Sequence, residues 1–299
     1  MKLISMISNR RVEKLLLLCI GFVLIGCGGG GSAGSSDVVG GVPAKTMATI
    51  TTENAENVLS VTLGSIDIVD VPRGLALASD NSTNIAKVSL ETSKASNIAS
   101  SKLKSNNIAE TGTESCSGGG SLSYNGNEET GGTVIFNQCT EDGVTLNGTQ
   151  ILSFNGDTIH SELTNFSVKD FSSDVFISSA TIDFNENTEA LSMNLTGSVS
   201  MDGKKTDFEN YQLSGDGNTF TISGLIQSSC VAGWMQIQTV TPIMTVDFED
   251  CPVGGEIVVM GNNSALRTVF NSDTSIQVYL NGAIFATYAN CNELPGSCN

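Results

Sequence analysis

Apolar and polar side chains alternate along most of the chain from residue 116 onward. The alternation recurs in short runs rich in β-branched and aromatic residues, which are typical of half-buried strands. These runs are 121–124, 133–136, 144–146, 151–154, 175–177, 181–184, 191–195 and 219–222. Dipeptides that favour tight turns with positive φ are interspersed: Asn125-Gly126, Asn147-Gly148, Asn155-Gly156, Asp202-Gly203, Asp216-Gly217 and Asn281-Gly282. Because short turns join only antiparallel strands, the pattern predicts an antiparallel sheet.

A helical period precedes this region, over residues 46–69. Thr52 can cap the helix and Gly64 is a stop signal near its end. One face of the predicted helix is apolar, with Ala55, Val58, Leu59 and Leu63. Residues 78–115 are rich in Ser, Asn, Ala and Lys, which predicts a linker or a weakly ordered helix.

These patterns predict a mainly β fold. We expect an antiparallel meander that forms a curved sheet, a half-barrel or a barrel, preceded by a short amphipathic helix. A two-sheet β-sandwich is the alternative. The expected divisions are a helix plus low-complexity linker at 46–115, a first β unit at 116–229 and a second β unit at 230–299, with the two units packed as one domain.

An internal repeat supports two β units. The segment Thr133–Cys139 resembles Thr245–Cys251, and each is followed by a glycine-containing turn and a strand that ends in glycine. Cys116 and Cys230 lie 23 and 21 positions before the cysteines that end these segments. Duplication of a β unit explains this spacing better than chance does.

The N-terminus has the pattern of an export signal. Lys2, Arg10, Arg11 and Lys14 precede an apolar run of twelve residues, 15–26. A membrane span needs about 20 residues, so this run has the length of a signal-peptide core instead. A glycine- and serine-rich segment follows and predicts a flexible tether at 27–45. Its G-x-S-x-G and G-x-G-x-x-G matches lack the flanking strand and helix that these motifs require.

Leu24-Ile25-Gly26-Cys27 at the end of the apolar run resembles the lipobox of bacterial lipoproteins. The resemblance implies a signal peptide at 1–26, cleavage before Cys27, and diacylglycerol on the sulfur of Cys27 with an acylated amino group. Two or more acyl chains give stable anchoring. Gly28 after the cysteine implies the outer membrane, with the inner membrane as the alternative.

The charge distribution excludes some partners. Residues 105–299 contain four basic and 23 acidic side chains. An acidic surface of this kind repels phosphate backbones and anionic headgroups, so we expect no nucleic-acid partner. Membrane contact is expected through the lipid on Cys27, with an envelope protein as a further partner.

The cysteines fit an exported protein. Besides Cys19 and Cys27, six remain, an even number that predicts disulfides: Cys116, Cys139, Cys230, Cys251, Cys291 and Cys298. Residues that face each other in an antiparallel hairpin are equidistant from its turn. Cys116 and Cys139 are equidistant from a polar stretch, and Cys230 and Cys251 from a stretch beside Pro242. We therefore predict Cys116–Cys139, Cys230–Cys251 and, for the remaining two, Cys291–Cys298.

A wider resemblance covers residues 116–290. The pattern is similar to a group of uncharacterised β-rich bacterial lipoproteins of Gram-negative type, with a lipobox and duplicated cysteine-containing β units. The matching residues are Phe136, Cys139, Leu146, Asn147, Gly148, Thr149, Gly233, Trp234, Thr239, Thr241, Pro242, Cys251 and Pro252. The resemblance implies no known activity and no functional residues.

Candidate catalytic and metal-binding residues are few. His160 is the one histidine, in a loop or at a strand start, and the carboxylate pairs are Glu128-Glu129, Glu141-Asp142 and Glu249-Asp250. Oxygen ligands alternate over Asp183–Glu189, but the pattern departs from an EF-hand at Thr188 and Asn194. No CxxC pair is present, so a zinc site is not expected.

We therefore expect no catalytic residues, no metal and no cofactor. The leading hypothesis is a non-enzymatic binding or structural module, anchored by lipid in the cell envelope. The alternatives are a periplasmic carrier of lipid or another hydrophobic ligand and, last, an envelope hydrolase.

Overall fold

A computed structural model describes residues 45–66 and 110–295, apart from 128–129, 142, 171–172, 186–187, 189, 202, 217 and 246–250. One α-helix, α1 (Ala55–Ile66), precedes fourteen strands in this part of the chain. The strands are β1 (Glu110–Ser115), β2 (Ser121–Asn127), β3 (Gly131–Glu141), β4 (Val144–Asn155), β5 (Thr158–Lys169), β6 (Ser173–Asn185), β7 (Leu191–Met201), β8 (Lys204–Asp216), β9 (Thr219–Ser228), β10 (Val231–Met244), β11 (Gly254–Gly261), β12 (Ser264–Phe270), β13 (Ile276–Leu280) and β14 (Ala283–Tyr288). A 3-10 helix follows at Cys291–Glu293.

The strands form one antiparallel meander. Their order across the sheet is their order along the chain, so every strand pairs with its sequence neighbours. The strands β1 and β14 are the two edges and do not pair with each other. The mainly β antiparallel prediction is therefore confirmed, as an open sheet rather than a closed barrel, and the sandwich alternative is wrong.

One face of the sheet carries the hydrophobic core, and we call it the inner face. Helix α1 joins the same core cluster through Val58 and Leu59, which are fully buried, and packs against β10 and β12. The hydroxyl of Tyr211 in β8 donates a 2.7 Å hydrogen bond to the carbonyl oxygen of Ser65 near the end of the helix. The helix therefore fills part of the inner face with side chains.

A line of β-bulges crosses the long strands. In β3, β5, β6 and β8 two core side chains lie three positions apart instead of two. The pairs are Phe136 and Cys139, Leu163 and Phe166, Ile177 and Ala180, and Phe208 and Tyr211. The register shifts at these places. Since a bulge bends its strand and increases the twist, a row of bulges bends the whole sheet.

Glycines in neighbouring strands allow these bulges. Gly148 in β4 has φ +112°, and a Cβ there would lie 2.3 Å from the carbonyl oxygen of Asn165 in β5. Asn165 is itself in the left-handed region with φ 46°, which asparagine tolerates better than most residues. The close approach of the two backbones therefore requires the glycine.

The bulges explain two errors in the predicted strands. The runs 144–146 and 151–154 belong to the single strand β4, and the runs 175–177 and 181–184 belong to β6. Asn147-Gly148 lies in the bulged part of β4 and is not a turn. Asn125-Gly126 also lies within a strand, β2.

The region before the sheet differs from its prediction at both ends. The first described residues are extended: backbone hydrogen bonds join Ala48 to Trp234 at 2.8 Å and Trp234 to Thr46 at 2.9 Å. The helix begins only at Ala55, and Gly64 lies within it instead of stopping it. The end of the predicted linker forms β1, while residues 67–109 lie outside the described part.

Candidate functional site

The cysteines are the site residues that sequence analysis named. Cys27, the predicted lipidation site, and Cys298 lie outside the described residues. Cys116 and Cys139 form a disulfide with their Cα atoms 5.4 Å apart, as predicted. The bond ties the β1–β2 turn to β3, and both cysteines are buried.

The second predicted pair is wrong. Cys251 bonds to Cys291, with Cα atoms 5.4 Å apart, and therefore not to Cys230. Cys291 likewise is not bonded to Cys298, and Cys230 is disulfide-bonded as well. The prediction assumed that Cys230 and Cys251 close one hairpin. In the structure, Cys251 begins the segment that leads into β11 and meets the 3-10 helix after β14.

One group of side chains has the composition of a metal site. Ligand atoms of Cys116, Cys139 and Glu141 lie within 4.8 Å of one another. The two sulfur atoms are bonded to each other, however, and Glu141 accepts hydrogen bonds from the backbone N–H and the hydroxyl of Ser117. These contacts make the group a brace between the β1–β2 turn and β3.

His160 is the third residue of β5, so of the two predicted positions the strand start is correct and the loop is wrong. Asp183 is its direct cross-strand neighbour in β6. The Nδ1 atom lies 2.6 Å from a carboxylate oxygen of Asp183, and Nε2 lies 3.1 Å from one of Glu162. Hydrogen bonding to Asp183, and secondarily to Glu162, raises the pKa of His160 above its ordinary value.

This geometry favours an imidazolium held between two carboxylates. A serine nucleophile needs one ring nitrogen that can accept its proton, while the other is held by an acid. Both nitrogens of His160 face carboxylates, and in the charged form both donate. All three side chains lie on the outer face, opposite the core, so the cluster works as a surface ion network.

The loop considered for calcium uses its oxygens internally. The side-chain oxygen of Asn185 accepts hydrogen bonds from the backbone N–H and the hydroxyl of Thr188, at 2.8 and 2.9 Å. Asp183 faces His160. The segment therefore has the geometry of a hairpin turn after β6, as far as its described residues show.

Of the carboxylate pairs, Glu128-Glu129 and Glu249-Asp250 lie outside the described part.

The two edges of the sheet differ in chemistry. The edge strand β1 has the sequence ETGTES, in which every residue other than Gly112 is polar or charged. The edge strand β14 has the sequence AIFATY, without a charge. Ile284 in β14 is 67% exposed, the highest value among the exposed large hydrophobic residues of the described part.

Sequence analysis missed this edge, although the sequence contains a signal for it. Residues 274–292 have no charged side chain, within a chain of net charge −17. Edge strands commonly carry charges that prevent pairing with other chains. A long uncharged segment around a terminal hairpin is therefore an indication of an edge that is open to pairing.

Comparison with known proteins adds no relative. No protein-family model, no curated protein and no solved structure matches this chain. In the described part, α1 is too short to cross a membrane. The chemistry of the chain therefore has to be inferred from its own residues.

Proposed function

We propose that the chain is a lipid-anchored lipoprotein of the cell envelope, at the outer membrane, that acts as a non-enzymatic binding or structural module. The observation that carries the proposal is the combination of a lipobox-like sequence at Cys27 with a sheet braced by disulfides. Disulfides persist in oxidising compartments and are rare in the cytosol. An exported chain would have both features.

The contacts of the candidate catalytic residues support a non-enzymatic role. Both ring nitrogens of His160 face carboxylates, and Glu141 is held by Ser117. With both ring nitrogens so engaged, His160 offers neither a nucleophile nor a free general base. A module that binds through its surface needs neither.

The packing of the inner face supports a module rather than a carrier. Val58 and Leu59 of α1 are fully buried, together with Met235 and Ile237 in β10. These side chains occupy the inner face beside β10 and β12, so that part of the face has no room for a hydrophobic ligand. The described inner face there is filled from within the chain.

The proposal is tested by substitution of the predicted acylation site. Cys27→Ser should abolish incorporation of labelled palmitate and release the protein from the membrane fraction of cells. The matched control is Cys19→Ser, within the predicted leader, which should leave both unchanged. Equal labelling and equal membrane association of the Cys27→Ser protein would overturn the proposal.

A further inference from the structure

In the described part of the chain, no strand pairs with the outer side of β14. The strand pairs with β13 on one side, and the sheet ends there. In an extended strand every second residue directs its N–H and C=O toward the same side, so the free edge offers donors and acceptors to another strand. The strand is uncharged, and Ile284 projects into solvent.

The faces to which the side chains of β14 point follow the same order when the strand is read from either end. Ala283, Ala286 and Tyr288 pair with Leu280, Val278 and Ile276, which belong to or pack against the core, and so lie on the inner face. Ile284 and Thr287 pair with Tyr279 and Gln277 on the outer face. Phe285 is the extra residue of a bulge and packs against the core. The order of faces is therefore inner, outer, inner, inner, outer, inner.

This order is what pairing with an identical strand requires. In an antiparallel pair of two β14 strands centred between Phe285 and Ala286, Ile284 lies opposite Thr287 of the second copy, both on the outer face. Ala283 then lies opposite Tyr288, and Phe285 opposite Ala286, on the inner face. In a regular six-residue strand the side chains alternate between the faces throughout. This register would then place each inner-face residue opposite an outer-face residue of the second copy. The bulge at Phe285 removes that mismatch.

The other edge favours a closed dimer over a filament. Pairing of β14 with β1 of another copy would be head-to-tail and would continue without closing. Charged side chains on an edge strand oppose strand pairing, and β1 contains two glutamates. Pairing of β14 with itself brings two uncharged segments together, and it closes after two copies.

We infer that the partner of this module is a second copy of the same chain, joined through antiparallel pairing of the two β14 strands into one continuous sheet. One pair of six-residue strands buries less than the about 1,200 Å² typical of a stable complex. The dimer is therefore in equilibrium with the monomer. Confinement of both copies to one membrane, if Cys27 is lipidated as proposed, would raise their effective concentration.

The register can be tested by cross-linking. Directly opposed residues in an antiparallel pair have Cα atoms about 4.5–5.5 Å apart, within the range of a disulfide. The double variant Ile284→Cys/Thr287→Cys, oxidised in intact cells, should give a covalent dimer on a non-reducing gel through two symmetric bonds. Each single variant places its thiol opposite a residue without one and should remain monomeric.

A matched pair on the other edge is the control. Thr111→Cys/Thr113→Cys places two exposed thiols on β1 and should give no dimer. Failure of the β14 pair to cross-link, or equal cross-linking of the β1 pair or of the single variants, would overturn the inference. The β14 and β1 cysteine pairs are also compared in a Cys27→Ser background, as purified protein at high concentration. Cross-linking of the β14 pair there would show that the interface forms without the lipid anchor.

A second measurement requires no new disulfide. Sedimentation of the purified chain over a concentration series should show a monomer–dimer equilibrium. Ile284→Lys, at a position that is already mostly exposed, should raise the dissociation constant at least tenfold, and Thr113→Lys on β1 should not change it. A monomer at every concentration up to about 1 mM, or a dimer insensitive to Ile284→Lys, would contradict the inference.

Discussion

Two regions of the sheet are stabilised in different ways. Strands β3 to β8 are long and bent by a line of bulges, and nearby Cys116–Cys139 is a local disulfide, 23 residues apart. Strands β11 to β14 are shorter, and there the helix α1 and a disulfide between residues 40 apart supply long-range contacts. Apart from the Tyr211–Ser65 hydrogen bond, the bulged strands thus depend mainly on contacts between sequence neighbours, while the strands from β10 onward also depend on segments distant in sequence.

Removal of each disulfide should show this difference most strongly. Loss of a cross-link increases the entropy of the unfolded chain with loop length, so Cys116→Ser/Cys139→Ser should lower the free energy of unfolding by about 3.4 kcal/mol and Cys251→Ser/Cys291→Ser by about 3.9 kcal/mol. Urea unfolding of both variants measures the two values. A smaller loss of unfolding free energy for Cys251→Ser/Cys291→Ser than for Cys116→Ser/Cys139→Ser would contradict this expectation.

The helix contribution should be nearly as large. Leu59→Ala removes a fully buried side chain where α1 meets β10 and β12, and it should destabilise the protein by about 3 kcal/mol. Leu63→Ala is the control, because Leu63 is only partly buried on the same helix and should cost less. Equal losses at both positions would show that α1 does not pack as described.

The line of bulges predicts that substitution of one glycine, Gly148, destabilises the protein. Gly148→Ala forces a Cβ against the carbonyl oxygen of Asn165 at positive φ, and it should destabilise the protein by about 2 kcal/mol. Gly156 in the β4–β5 turn also has positive φ, but a Cβ there would meet nothing within 4 Å. Gly156→Ala should therefore cost less than Gly148→Ala in the same thermal or urea unfolding experiment.

The smallest expected effect is the pH dependence from His160. Its pKa is raised in the folded state, so its contribution to stability is fully present below the unfolded-state pKa of about 6.5 and is lost as pH rises through the higher folded-state pKa. Because the groups are partly exposed, the contribution should be under about 1 kcal/mol.

The measurement compares urea midpoints at acidic and alkaline pH for the wild type and for His160→Gln. The variant should lose the part of the pH dependence that lies above about pH 6.5. Since the chain has one histidine, an unchanged profile in that range would exclude the ion network as its cause.

The antiparallel sheet could be predicted because alternation and turn dipeptides are local signals. Asn281-Gly282 does lie in the turn between β13 and β14, and Gly156 lies in the turn that follows Asn155, the last residue of β4. Asn147-Gly148 does not, because the same positive-φ preference serves a bulge opposite Asn165. Core residues three apart in one strand, with a glycine in the next, are the signal that would have predicted the bulges.

One disulfide could be predicted from the sequence and the other could not. Cys116–Cys139 links neighbouring strands, so its spacing was informative. The Cys251–Cys291 pair depends on how the chain returns after β14, and no local pattern encodes that contact. The open edge at β14 could be predicted in part, from the uncharged stretch 274–292. That β14 lies at the edge of the sheet could not be predicted without the order of all the strands.

Both regions of the sheet contain disulfides, which are rare in the reducing cytosol, so export is the central claim. Mass spectrometry of the N-terminal peptide from protein isolated from its native cells tests it directly. The account predicts a mature chain that begins at Cys27 and carries acyl chains on that residue. Recovery of an unmodified peptide that spans Gly26 and Cys27 as the main species would contradict it.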